Sequence, residues 1–253
     1  MKSSINRKIF FVLLSLSLIS VICVFPYVLT IQGEVIRKIG QPIWLIFIAQ
    51  FIQCIILFSI AIFFGLFFSK KIHFSLPLLE AIFEKRNYKK ILNNILGKSI
   101  ILGVITAVII YIVDILFTIQ GAGITTHQNP APVWQKLIAA FYGGITEEIL
   151  MRLFLMTFFL WIGMKIFKQK QPTVIGIWVS IFLAAIIFGL GHLPITASVT
   201  KINALVISRA VVLNGIGGII FGWLFWKKGL ESAMIAHFTA DIFLLTLLPL
   251  LFK

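Results

Sequence analysis

The sequence predicts an all-α fold, a polytopic bundle of about seven or eight transmembrane helices. Three observations carry this. Hydrophobic residues make up 60% of the 253 residues and charged residues only 12%, whereas a soluble domain carries roughly 25% charged residues. Apolar runs long enough to cross a bilayer as helices recur along the whole chain. Those runs show no alternation of apolar and polar residues, Ile43 to Phe68 being the clearest case, and a membrane β-barrel requires that alternation.

The elements follow in order. Lys2, Arg7 and Lys8 precede an apolar run over 9–31. It is too long for a signal-peptide core and no A-x-A-like site follows, so it reads as a retained first helix. Further spans are expected at 43–68, 97–119, 133–164, 173–193, 203–226 and 230–251. An eighth would have to be a re-entrant or split segment. The longest polar connection, 69–96, carries Lys70, Lys71, Glu80, Glu84, Lys85, Arg86, Lys89 and Lys90. Its apolar members Leu78, Leu79, Ile82 and Phe83 predict an amphipathic interfacial helix after Pro77. The stretch Gly121 to Pro132 reads as a plain turn region.

The net charge of +14 comes from Lys and Arg in the short loops between spans, the positive-inside pattern. No nucleic-acid module or aromatic-interleaved basic patch accompanies it, so no nucleic-acid partner is expected. The N-terminus, 69–96, Lys165/Lys168/Lys170 and Lys227/Lys228 fall on one side. Arg37, Lys38, Lys136, Lys201 and Lys253 are the few basic residues on the other. The richer side is expected to be cytoplasmic, with the N-terminus in and the C-terminus out. Cys23 and Cys54 both lie in apolar spans and read as free, buried thiols.

The run Glu147-Glu148-Ile149-Leu150-Met151-Arg152 stands inside an apolar stretch. A charge at mid-bilayer costs roughly 2.5–3.5 kcal/mol on insertion scales, so it calls for partners or water. Glu148 and Arg152 are one helical turn apart and can pair. Glu147 points about 100° away, which leaves one carboxylate free for chemistry. His237 and Asp241 are also four apart, and an acid there can fix the imidazole tautomer. The same pair would equally serve as polar glue between two helices. His192 ends Phe188-Gly189-Leu190-Gly191-His192, and the glycines admit a second helix backbone at its level. Taken alone, it is a helix-end histidine. Asp114 and Arg209 match in depth and read as a structural ion pair. Gly215, Gly217, Gly218 and Gly222 stripe one span, with the last two in G-x-x-x-G spacing for tight helix packing.

Three of these patterns, in this order, resemble the motifs of the CAAX protease and bacteriocin-processing family of intramembrane proteases. The family includes the type II CAAX prenyl endopeptidases. E-E-x-x-x-R is met by Glu147, Glu148 and Arg152, F-x-x-x-H by Phe188 and His192, and H-x-x-x-N/D by His237 and Asp241. The resemblance covers roughly 133–245. It divides the chain into N-terminal helices and an amphipathic loop over 1–128 and a catalytic core over 129–253 within one membrane domain. It implies a glutamate-activated water, with Glu147 as general base and His192 helping to hold the water. His237 and residue 241 would stabilise the oxyanion, with Glu148 and Arg152 supporting the site. No cofactor is expected from the glutamate-type assignment.

The chemistry of the residues agrees in part. A scissile carbonyl needs a nucleophile and a donor for the developing negative charge, and a carboxylate in a low-dielectric site can act as base near neutrality. Ser180 and Ser208 have no histidine partner by motif, so a triad is not indicated. Residue 241 is Asp where many relatives have Asn, and an ionised Asp cannot donate to an oxyanion. It either pairs with a charged His237 that is then the sole donor, or donates as the neutral acid. Span edges place His192 near the outer end, Glu147 mid-span and His237 nearer the inside, so tilted or broken helices must bring them together.

Competing readings exist. Glu147, His192, His237 and Asp241 are zinc-ligand types, though no H-E-x-x-H supports a metal site. A non-catalytic self-immunity or scaffold protein would keep the fold, but every motif residue is retained. A proton-coupled transporter also uses intramembrane Glu, Asp and His, but no repeat symmetry is evident. The high Ile, Phe and Lys content points to a bacterial cell-membrane protein. The expected partners are the lipid bilayer and a peptide or protein substrate in or at the membrane, bacteriocin-related or otherwise membrane-associated rather than prenylated. Oligomeric state is not legible.

Overall fold

The computed structural model describes residues 2–122 and 131–251, with side chains from residue 6 onward. Most of the turn region expected at Gly121 to Pro132, and Lys253, lie outside the described residues. All regular structure among the described residues is helical. In a bilayer the backbone must satisfy its own hydrogen bonds, and each long apolar run does so as a helix.

The helices are α1 (Lys2–Lys38), α2 (Ile43–Lys71), α3 (Pro77–Phe83) and α4 (Tyr88–Ile119). They continue as α5 (Val133–Ile166), α6 (Val174–Gly191), α7 (Leu193–Ala197), α8 (Ala204–Lys228) and α9 (Leu230–Leu251). Seven of the described helices are long and apolar enough to cross a membrane. They coincide with the seven expected spans, and the chain is a multi-pass membrane protein.

Their ends have local causes. Asn87 caps α4 by accepting from the Lys90 N–H at 3.1 Å. Thr173 caps α6 through the Gly176 N–H at 3.1 Å, and Asn203 caps α8 through the Val206 N–H at 2.9 Å. Gly229, with φ +94°, makes the tight corner between α8 and α9.

The 69–96 connection differs from its expected form. The interfacial helix after Pro77 is present but short, and α4 starts at Tyr88 rather than near 97. Counting apolar residues stops at Lys98, whereas the capped segment with Lys89, Lys90, Asn93 and Asn94 continues the same helix into the polar zone. Glu231, at the start of α9, is buried and accepts from the Leu79 N–H of α3 at 2.9 Å, tying the short helix to the bundle.

The helices carrying the motif residues pack on one another and on α2, α4 and α8. Gly189 meets the backbone of Val211, and a methyl on Gly218 would lie 2.6 Å from Cβ of Ala185. These close approaches join α6 to α8, as the glycine spacing predicts. Asp114 and Arg209 form a buried ion pair between α4 and α8, with Nη2 to Oδ1 at 2.6 Å. Hydroxyls of Ser99 and Ser232 bond at 2.7 Å between α4 and α9.

Candidate active site

The site begins with a departure from α-helical winding. Within α5, residues Tyr142–Glu147 and Ile149–Met156 are π-helical, on either side of Glu148. π-turns interrupt α-helices mostly at functional sites. Here the widened segment meets α9 across two glycines. A Cβ on Gly143 would strike the carboxylate oxygen Oδ2 of Asp241 and lie 3.1 Å from Nε2 of His237. One on Gly144 would sit 2.7 Å from Cβ of Phe238. Side chains at either position would push α9 off α5.

The two glutamates then diverge. Glu148 is completely buried and lies 3.0 Å from Nη1 of Arg152, the pair that the four-residue spacing predicts. Glu147 keeps 21% of its side chain exposed. Arg152 also donates to the backbone carbonyl of Gly217 at 3.4 Å. Its guanidinium lies between the rings of Phe188 at 5.2 Å and Phe221 at 5.5 Å, a cation–π arrangement.

His237 comes from α9 to the same point. Its Nδ1 is 2.7 Å from Oε1 of Glu148; a carboxylate facing a guanidinium accepts here, so Nδ1–H donates. Nε2 is thereby turned toward Oε2 of Glu147 at 3.7 Å and Oδ1 of Asp241 at 3.6 Å. The expectation that Asp241 fixes the tautomer of His237 is therefore corrected. Asp241 does share the helix face, but it sits at the other ring nitrogen, and Glu148 from α5 holds Nδ1.

His192 closes the group. Its Nδ1 lies 2.8 Å from the carbonyl oxygen of Phe188; a carbonyl only accepts, so Nδ1–H donates and Nε2 is turned to the site. Nε2 faces Oε1 of Glu147 at 3.9 Å. The three motifs, expected at different depths, thus meet at Glu147, with the His192 ring turned back toward Phe188. Glu147 lies between two imidazole nitrogens at distances too long for direct hydrogen bonds and suited to a shared water or a bound polar group.

The structure thus brings Glu147, Glu148, Arg152, His192, His237 and Asp241 into one cluster. Asp114 and Arg209 pair elsewhere. Among the described residues, no group of three or more His, Cys, Asp or Glu is arranged to hold a metal ion. Sequence reasoning passed over three contributors: the Glu148–His237 bond, Gly143–Gly144 and Phe221. The adjacent glycines just before the acidic pair were the available signal. Phe221 gave none, being one apolar residue among many.

A buried guanidinium–carboxylate–imidazole chain beside a second, accessible carboxylate defines a membrane-embedded site with the parts for acid–base chemistry. Residues 129–243 match the family model described as Type II CAAX prenyl endopeptidase Rce1-like. That segment holds all three motifs, and over these residues the chain is similar to that family. No curated protein and no solved structure matches the chain.

Proposed function

We propose that the protein is an intramembrane endopeptidase that hydrolyses a peptide bond with a water activated by Glu147. The observation that supports this most is the position of the Glu147 carboxylate. It is unpaired with Arg152, partly accessible, and placed between Nε2 of His192 at 3.9 Å and Nε2 of His237 at 3.7 Å.

In this reading Glu147 takes a proton from a water held with His192 Nε2. The water oxygen attacks the scissile carbonyl carbon. The resulting oxyanion accepts a hydrogen bond from His237 Nε2–H. His237 carries both ring protons, one held by Glu148, and is flanked by Glu147, Glu148 and Asp241. Asp241 stabilises that charged ring, and Arg152 holds Glu148 in place. When the tetrahedral species collapses, the C–N bond breaks and Glu147 passes its proton to the leaving amine.

No cofactor is required by this scheme; zinc on Glu147, His192 and His237 is the alternative. The substrate is a membrane-associated peptide, bacteriocin-related or otherwise, in a bacterial cell membrane with the N-terminus cytoplasmic, as the Lys and Arg asymmetry supports. The test is cleavage of a peptide library by purified protein in detergent, with products mapped by mass. Internal cleavage supports an endopeptidase. Substrate-coupled proton movement in liposomes without any cleavage would favour a transporter.

A further inference from the structure

The three motifs lie on α5, α6 and α9, yet the site has a fourth wall on α8. Gly217 and Phe221 stand one turn apart there. A Cβ on Gly217 would lie 3.1 Å from Cε2 of Phe221, so the ring lies back over the glycine. The Gly217 carbonyl accepts from Arg152 at 3.4 Å. The Phe221 ring stacks on the imidazole of His237, with centroids 4.7 Å apart and planes 23° apart. Its centroid is also 5.5 Å from the Arg152 guanidinium. Phe188 meets the same imidazole edge-on at 5.9 Å and 85°. Phe221 is 2% exposed and Phe188 6%.

This geometry bears on one degree of freedom. The terminal torsion of a histidine is broad and roughly two-fold. A single hydrogen bond from Nδ1 to Glu148 leaves the ring able to tilt about that bond. Tilting moves Nε2, the atom that faces Glu147 and Asp241. A flat ring stacked at 4.7 Å blocks the tilt while adding no polar group that would compete for Nε2.

We infer that Phe221 is a positioning residue: it fixes the imidazole plane of His237 and, with the Gly217 carbonyl, seats Arg152, so that α8 sets the aim of His237 Nε2 toward Glu147. This rests on the proposed peptidase reading for its kinetic consequence, but the ring geometry can be read without activity.

The experiment compares Phe221→Leu, Phe221→Met and Phe221→Tyr with wild type, using full-length protein in detergent. Phe225→Leu serves as control, since Phe225 is about as buried but meets Phe74 edge-on, with ring centroids 5.2 Å apart. Two readouts are taken. Side-chain ¹⁵N spectra of the four histidines, with His237 assigned from a His237→Gln sample, report its tautomer and averaging. Peptide cleavage reports kcat and KM separately. In Leu and Met, kcat should fall roughly tenfold to a hundredfold with KM within about threefold, as for a misaimed group, and the His237 nitrogen signals should average. Tyr, which keeps the ring, should restore both; Phe225→Leu should leave both as in wild type. Unchanged His237 signals in Leu and Met would overturn the inference. So would the same loss in Phe225→Leu, or failure of both Leu and Met to fold, each of which makes Phe221 core packing only. If no protein cleaves any peptide, the peptidase reading fails while the nitrogen signals still decide the role of Phe221.

Discussion

Glu148 accepts a 2.7 Å hydrogen bond from Nδ1 of His237, a residue 89 positions away on a different helix. The bond ties the first motif to the third. It also distinguishes the acidic pair: Glu148 is completely buried with its Oε1 engaged by both His237 and Arg152, whereas Glu147 keeps part of its carboxylate exposed.

The buried chain should be unforgiving of single changes. Removing one partner of a buried ion pair costs about 3–5 kcal/mol, because the other charge is left uncompensated. Glu148→Ala should therefore unfold at clearly lower temperature in detergent. A double change, Glu148→Leu with Arg152→Met, should recover much of the stability and none of the activity. A single variant that melts with wild type would show that the pair does not act as drawn.

Gly143 should tolerate no side chain. Its Cβ would strike the Asp241 carboxylate and crowd His237 Nε2. Overpacking of this kind costs about 1–3 kcal/mol, and displacement of reacting groups costs activity beyond that. Gly143→Ala should lower both, whereas Gly163→Ala, with nothing within 4 Å of the added methyl, should change neither. Equal behaviour of the two variants in melting and turnover assays would contradict the close contact of α5 and α9.

How much of this was legible beforehand depends on the range of each interaction. The seven spans could be read because a desolvated backbone forces each long apolar run into a helix. Glu148–Arg152 and the shared face of His237 and Asp241 could be read because neighbours one turn apart are fixed by helix geometry. The Glu148–His237 bond could not, because no local rule reaches across 89 residues. The π-turns at Tyr142–Glu147 and Ile149–Met156 were equally hidden, since no residue pattern in the apolar run marks a change of winding. Polar helix ends, as at Tyr88, escape any count of apolar residues.

Asp241 should matter by its shape and hydrogen bonding as well as its charge. It stands at the Nε2 side of His237, 3.6 Å away, and against Gly143. Asp241→Asn keeps the contour and should retain substantial activity, while Asp241→Ala should fall roughly tenfold or more below it. The check is kcat of the two variants side by side. An Asn variant as inactive as Ala would assign Asp241 another role, such as metal ligand or second proton acceptor.

Metal dependence separates the glutamate scheme from its zinc rival. Activity should survive prolonged chelation within about twofold, because no step of the scheme passes through a metal. The measurement is turnover before and after chelator treatment, together with metal content. Stoichiometric zinc, with activity lost on its removal and regained on its return, would favour the site on Glu147, His192 and His237.

The central claim is that Glu147 is the base while Glu148 is structural. Glu147→Gln keeps size and hydrogen-bonding shape at a partly exposed position with no direct ion pair to Arg152. The decisive measurement is peptide cleavage by purified Glu147→Gln, with thermal melting on the same sample. A protein that melts with wild type but no longer cleaves is the predicted result. Cleavage at the wild-type rate would contradict the account.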